Sequence, residues 1–364
     1  MSRTEAGTTI PAVQDAIGAG SGDGRPFRLG FLLHLDNDLP PARAYRDAIE
    51  LFRVAENLGY DSGWVIHRHF RQGNEHVSAP LVVLAAIAEH TSRIALGTGV
   101  YVLPLEDPLV VAEAAATLDE LSGGRLQLGV GSGPFPGAWE AFAKDLSDRH
   151  QLYDDTVVRL QRLLAGHPVN GLGEVLHPPA PGLRRRLWQA TSSDPAVAIS
   201  SAQAAGRSGD GLQLSRATEF NRQQTRGRQA EIVAAFREAH EAARPGVTPR
   251  VQVSRAIYPH PDRAAAVTAV APGARRWQSW IASRRGLPEL TVEEFLEQDN
   301  ALLGPTGGIA AALAADPALE HVTDLLVSFV PGVPPFDEHV RLLHAATEVA
   351  GLLGWQPRPS EEDR

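Results

Sequence analysis

The sequence predicts a TIM-type (β/α)8 barrel of the α/β class, with a helical insertion after the seventh strand. Three observations predict it. Short apolar runs suited to strands buried on both faces alternate with stretches of helical period, the alternation a parallel sheet requires. Eight such runs follow one another, and eight right-handed β-α units close into a barrel whose site lies at the C-terminal ends of its strands. Residues 93–133 read as one complete strand–helix–strand unit with its own start and stop signals.

Residues 1–25 are rich in Gly, Ser and Thr and read as a mobile arm with a weak helix near 12–16. The barrel is expected over 26–356, followed by a short tail at 357–364. FRLGFLLHL is the first strand, 41–58 a helix stopped by Gly59, YDSGWVIHRHF the second strand with a polar exit, and 79–90 a helix. The apolar run 94–103 is the third strand and closes on Pro104, which cannot extend a central ladder. Asp107 can cap the next helix, Pro108 suits its first turn, and Ser122, Gly123 and Gly124 mark its stop after Leu121. The fourth strand, 126–130, runs into Gly131, Ser132 and Gly133, where missing side chains let a ligand touch the backbone. After a Pro- and Gly-rich loop comes a helix at 149–164. RRLWQATSS, GDGLQLS, RVQVSRAIYP and VTDLLVSFVPG are strands five to eight, with helices at 196–205, 226–243 and 336–353. Residues 262–304 are too long for a simple connection and predict a helical insertion or lid over the mouth.

With 364 residues, 43% hydrophobic and 21% charged, the composition is that of a globular chain long enough for one large core. A net charge of −9 argues against nucleic acid or an anionic membrane as the main partner. No apolar run is long enough to span a bilayer, and MSRTEAGTT lacks a signal core, so a cytoplasmic location is expected. The absence of Cys excludes disulfides, thiolate nucleophiles and Cys-ligated metal sites. Met1 is the only Met. Expression under sulfur starvation, resistance to oxidation and compositional drift each explain that scarcity. No metal site is expected, because the His residues are scattered and no H-E-x-x-H or carboxylate cluster occurs.

Four candidates for chemistry lie at two strand ends. His34 closes strand one, and His67, Arg68 and His69 close strand two, so all four should project near the mouth. His can carry a proton near neutral pH, while Arg is a permanent cation with planar donors.

Gly97, Thr98, Gly99, Pro104, Pro108, Ala112, Glu113, Leu118, Asp119, Ser122, Gly124, Arg125 and Gly129 resemble, in order, the signature of the bacterial-luciferase-like flavin monooxygenases. The resemblance runs with gaps from about 27 to 353. The family also contains alkanesulfonate monooxygenases and deazaflavin-dependent dehydrogenases. The resemblance implies the barrel, reduced FMN supplied by a separate flavin reductase, O2 as co-substrate, and a homodimer formed through helices near the early strands. It further implies a non-prolyl cis peptide at Gly99–Val100 against the flavin ring, with Thr98 in reach of that ring. For the flavin phosphate, Ser132, Gly133, Thr191, Ser192 and Ser193 offer hydroxyls and amides beside a helix N-terminus, a role compatible with capping.

Where the family carries Glu-His-His-Phe, this chain has His67, Arg68, His69 and Phe70, so Arg68 stands in place of the principal catalytic His. Arg cannot act as a general base at ordinary pH, which leaves proton transfer to His69, His67 or His34, or makes Arg68 an anchor for an anion. The expected function is an FMN-dependent monooxygenase acting on a small organic substrate. The alternatives are a deazaflavin-dependent oxidoreductase and a non-catalytic flavin-binding subunit. Arg68, the paired Arg275–Arg276 and Arg284–Arg285 of the insertion, and the scarcity of sulfur together suggest an organosulfur substrate such as a sulfonate.

Overall fold

The computed structural model describes residues 24–35, 38–70, 77–192, 194, 196–214, 227–285 and 290–357, with the side chains of 280–285 excepted. The expected helix near 12–16 lies outside them.

The chain runs β1 (Arg28–Leu33), α1 (Pro41–Asn57), β2 (Ser62–Val65), α2 (Pro80–Ala88), β3 (Ala95–Thr98), β4 (Tyr101–Val102), α3 (Pro108–Leu121), β5 (Leu126–Gly131), α4 (Pro136–Ala141) and α5 (Arg149–Leu164). It continues through α6 (Pro181–Arg184), β6 (Leu187–Ala190), α7 (Ala198–Ser208), β7 (Gly211–Leu214), α8 (Arg228–Ala243) and β8 (Val251–Pro259). The remainder is α9 (Arg263–Arg285), α10 (Val292–Gln298), β9 (Leu302–Gly304), α11 (Thr306–Ala314), β10 (Asp324–Ser328) and α12 (Phe336–Leu352). Strands β1, β2, β3, β5, β6, β7, β8 and β10 pair in parallel, and β10 joins both β8 and β1, closing an eight-stranded barrel. This is the TIM-type architecture.

Residues of one strand parity fill the interior. Trp64 and Trp188 meet edge to face, with ring centroids 5.8 Å apart, and pack with Leu326. Each indole N–H is satisfied, by Ser62 Oγ at 2.9 Å and by Gln127 Oε1 at 2.9 Å. Two rings of that size fit because their neighbours have none. A Cβ on Gly97 would stand 2.1 Å from the Trp64 ring, and one on Gly211 2.2 Å from the Trp188 ring. The opposite strand parity, with residues such as Phe31, Leu96 and Leu128, joins the buried helix faces in one apolar cluster.

At the mouth side Asp107 accepts from Leu109 N–H and caps α3, as its sequence position predicts. Three polar members of the signature, Asp119, Ser122 and Arg125, lie at the other end of the barrel, around the turn from α3 into β5. Asp119 holds Arg186 by two bonds of 2.7 and 2.9 Å. Arg125 reaches the carbonyls of Ser122, Ala88, Thr91 and Ile94. Gly123 and Gly124 turn the chain between α3 and β5 at φ of +64° and +81°, where a side chain would be strained.

Two expectations are corrected. The run 94–103 is not one strand: β3 stops at Thr98, the Gly99–Val100 peptide is cis, and the chain resumes as β4 beside Val130 and Gly131. The insertion after strand seven is not wholly helical, because β9 adds to the outer end of β8 at Ile257–Pro259. Among the described residues, no helix is long and apolar enough to cross a membrane.

Candidate active site

A cavity of about 280 Å³ opens at the C-terminal ends of the barrel strands. Its walls include backbone at Gly99, Val100, Gly131 and Gly133, apolar surface from Leu32, Ile66 and Leu326, and Phe135 and Trp277. The glycines keep these walls thin. A Cβ on Gly131 would stand 2.5 Å from a Val100 methyl, and one on Gly133 2.3 Å from a Val102 methyl.

The four candidates at the strand ends do not face this cavity together. His34 and Arg68 line it, and His67 and His69 do not. Alternation of side chains at the strand end explains the split: Ile66 and Arg68 face the mouth, while 67 and 69 turn behind its wall. Arg68 lies over the Phe135 ring, 4.5 Å from its centroid, and donates to His67 O at 3.3 Å. Among the described residues, it is the only permanently charged side chain lining the cavity.

His67 is a buried strut. Its Nδ1 accepts from Val102 N–H at 3.0 Å, tying β2 to the segment that forms the cavity wall. Burial pushes its pKa down to about 3, with His69 and Arg68 adding to the effect, so the imidazole is neutral at ordinary pH. His69 packs 4.4 Å from His67 and 4.8 Å from Phe142, and burial also lowers its pKa against the opposing pull of Glu106. Neither ring reaches the cavity, contrary to the expectation that all four candidates share the mouth; the imidazole that lines it is His34.

Thr98 is corrected in the same way. Fully buried, its hydroxyl donates to Gly129 O at 2.7 Å and accepts from Gly129 N–H at 2.9 Å. It replaces a ladder partner where β3 departs from β5, and it does not line the cavity. Gly99, Val100, Ser132, Gly133 and Thr191 do line it. Ser192 does not; its Oγ accepts from Asp194 N–H at 3.1 Å, and its N–H donates to Ser201 Oγ at 3.3 Å. Ser193 lies outside the described residues. In the insertion, Trp277 faces the mouth, whereas Arg276 pairs with Asp38 at 2.6 Å and Arg275 is exposed.

Sequence reading missed Phe135, Trp277, Gln213 and Gln252, all at the cavity. The two glutamines had a signal: each interrupts an apolar strand, GLQLS or RVQVS, at the parity that faces the barrel interior. A second, larger cavity of about 650 Å³ lies between α9 and the segment after β10. Glu338 there accepts from Tyr258 Oη at 2.6 Å and from Arg341 at 2.6 and 2.8 Å.

A flavin-sized planar ligand has what it needs here. The approach is backbone on one side, a cation stands at the rim, and two buried amide atoms of the floor, Gln213 Oε1 and Gln252 Nε2, have no hydrogen-bond partner among the described residues.

A closed parallel barrel with its cavity at the C-terminal strand ends defines an α/β-barrel protein with a cavity at its mouth. Residues 27–327 match the model of the luciferase-like monooxygenases, and the chain belongs to that family. Among curated relatives, 4-hydroxyprotoasukamycin monooxygenase of Streptomyces nodosus subsp. asukaensis is 37% identical over 134 residues, 37% of this chain and 36% of the relative. The chain thus spans about a third of the length of the curated relatives it matches first. The solved structure of monooxygenase RslO1 from Streptomyces bottropensis superimposes with a TM-score of 0.73 at 23% identity, covering 88% of this chain and 98% of that one. The oxygenating constituent of 3,6-diketocamphane monooxygenase from Pseudomonas putida, solved with FMN, gives 0.68 at 17% identity over 89% and 98%. The family is not uniform in its flavin: an F420-dependent glucose-6-phosphate dehydrogenase of Amycolatopsis mediterranei is 42% identical over 92 residues, 24% of this chain and 27% of the relative.

Proposed function

We propose that this protein is a monooxygenase that uses reduced FMN, delivered by a separate reductase in the cytoplasm, and O2 to oxidise a small organic substrate. The observation that carries the reading is the mouth cavity, whose thin backbone walls, Arg68 cation and two floor amide atoms without a partner among the described residues suit a flavin ring with a substrate above it. Bound reduced FMN would supply the electrons that activate O2. Gly99 and Val100 would hold the ring by backbone contact, and Ser132, Gly133 and Thr191 would border its phosphate tail. Phe135 and Trp277 keep water from the reacting face. His34 carries the proton on its imidazole, and the Arg68 guanidinium holds an acceptor group of the substrate.

The finer expectation of an organosulfur substrate rests on Arg68 and the scarcity of sulfur, since Arg276 is engaged by Asp38 and Arg275 is exposed. Sulfite release from a panel of sulfonates, run beside uncharged ketone and alkene controls, tests it.

The second copy of a homodimer would cover α2. That helix is apolar all round, with Val82 70% exposed, and Val110 of α3 is 57% exposed. Changing both valines to Asp should yield a monomer by sedimentation.

Oxygen uptake with reduced FMN, against hydride transfer with reduced F420 in the absence of oxygen, tests the reading as a whole. Substrate-dependent oxygen uptake supports it, and turnover with F420 alone overturns the FMN assignment. Binding of flavin without turnover, under any partner reductase, would leave a flavin-carrying subunit.

A further inference from the structure

Among the described residues, the barrel interior satisfies its polar groups layer by layer until it reaches the cavity floor. Trp64 is bonded to Ser62 and Trp188 to Gln127. Gln213 and Gln252, paired in register on β7 and β8, break the pattern.

The orientation of both amides follows from one carbonyl. Gln213 Nε2 donates to Thr98 O at 3.4 Å and to Gln252 Oε1 at 2.7 Å, which uses both of its hydrogens. Turning that amide over would set its oxygen against two other acceptors. Gln252 in turn must present Oε1 to Gln213. What remains is an acceptor, Gln213 Oε1, and a donor, Gln252 Nε2, each buried from water and without a hydrogen-bond partner among the described residues. Both side chains border the cavity. Gly129 makes room for the arrangement, since a Cβ there would stand 2.2 Å from Gln213 Oε1.

Buried amide atoms left unpaired are unfavourable, and leucines would close the floor over Trp64 and Trp188 without that penalty. We propose that Gln213 and Gln252 are the residues that read the pyrimidine edge of the flavin, accepting from its N3–H and donating to an adjacent ring carbonyl. This rests on the flavin reading of the cavity. An edge with neighbouring N–H and C=O satisfies the two atoms together, which neither the benzenoid end of the ring nor an alkyl substrate can do. The ring is thereby set with its pyrimidine end inward and its benzenoid end toward the rim. A deazaflavin keeps the same edge, so the pair recognises that edge in either cofactor.

The test is binding, read by flavin fluorescence in titrations of the full chain with FMN and N3-methyl-FMN. On the unaltered protein, N3-methylation should weaken binding at least tenfold. Gln213→Met and Gln252→Met should each weaken FMN by a similar factor, and in Gln213→Met the effect of N3-methylation should largely vanish. Equal affinity for FMN and N3-methyl-FMN on the unaltered protein would overturn the assignment without recourse to any variant. An N3-methyl effect of the same size in Gln213→Met would also overturn it, leaving the flavin reading intact. If F420 binds and FMN does not, and both glutamine variants lose F420, the FMN reading falls and the edge assignment stands. If neither cofactor binds, both fall.

Discussion

Replacing Thr98 by Val separates a structural role from a ligand-binding one at the residue nearest the cis Gly99–Val100 wall. The side chain is completely buried and its hydroxyl makes two bonds, donating to Gly129 O and accepting from Gly129 N–H. Val fills nearly the same volume, so no cavity term arises; the loss is that of the hydroxyl. Two backbone groups of Gly129 are left without partners in a site closed to water, at about 1–3 kcal/mol each, which gives a destabilisation of roughly 2–4 kcal/mol after some relaxation. The thermal midpoint should fall by several degrees, with a matching shift in urea midpoint. FMN titration on the folded variant should give a Kd within a few-fold of the original, because the hydroxyl is not on the cavity surface. Unchanged stability combined with at least a tenfold loss of FMN would refute this account and return Thr98 to the flavin ring.

Gly97→Ala should destabilise the barrel by roughly 1–3 kcal/mol, since its Cβ would stand 2.1 Å from the Trp64 ring; an unaltered melting curve with unaltered tryptophan emission would count against that packing. Acidification should weaken the fold between about pH 6.5 and 3. His67 and His339 are both held near pKa 3, first by burial, so below pH 6.5 the unfolded chain takes up protons that the folded chain refuses, and stability falls as pH falls. Each contributes a slope approaching 1.4 kcal/mol per pH unit, and His339→Leu should remove about half of the pair's combined effect in a pH series of urea melts. Arg68→Lys should raise KM for a substrate bearing a carboxylate, sulfonate or carbonyl about tenfold while leaving FMN affinity and the pH optimum in place; a shift of the pH optimum alone would show that Arg68 tunes a proton instead.

The barrel was legible because its determinants are local and periodic. Asp107, Pro108, Gly123 and Gly124 declare the two ends of α3 in the sequence, and the structure uses them as written. The break inside 94–103 was not legible from apolarity, because Val100 to Leu103 continue the strand-like run while the backbone departs after Thr98; only the resemblance marked Gly99–Val100. β9 and α11 were hidden by brevity and by the glycines that open TGGIAAALA. At the site, the sequence showed which residues end each strand but not which way each side chain turns. His67, Arg68 and His69 are adjacent in the chain, yet one faces the cavity and two stand behind it. Trp277 lies within a segment rich in arginine, where neither charge nor spacing distinguishes it as a residue that reaches the mouth.

Gly99 aside, much of the signature lies away from the cavity, and that separation limits what family membership can say. Asp119, Ser122 and Arg125 bind the turn between α3 and β5 to its neighbours, with Arg186 and the carbonyls of Ala88, Thr91 and Ile94 as partners. Glycines of the same signature admit the interior, Gly97 beside Trp64 and Gly129 beside the Gln213 amide. These contacts specify a barrel of this kind whatever ligand its mouth takes. The cavity's distinctive side chains come from elsewhere: Arg68 from the exit of β2, Phe135 from the loop after β5, and Trp277 from α9. Loops at the C-terminal face can vary without disturbing the opposite end, because the bonds that close the barrel bottom do not pass through them. Substrate choice should therefore follow the trio of Arg68, Phe135 and Trp277, in which a cation held 4.5 Å over one aromatic ring faces a mouth bordered by a second. That combination favours an apolar molecule with one strong acceptor group over a polyanion, for which a single cation among apolar walls would leave charge unpaired.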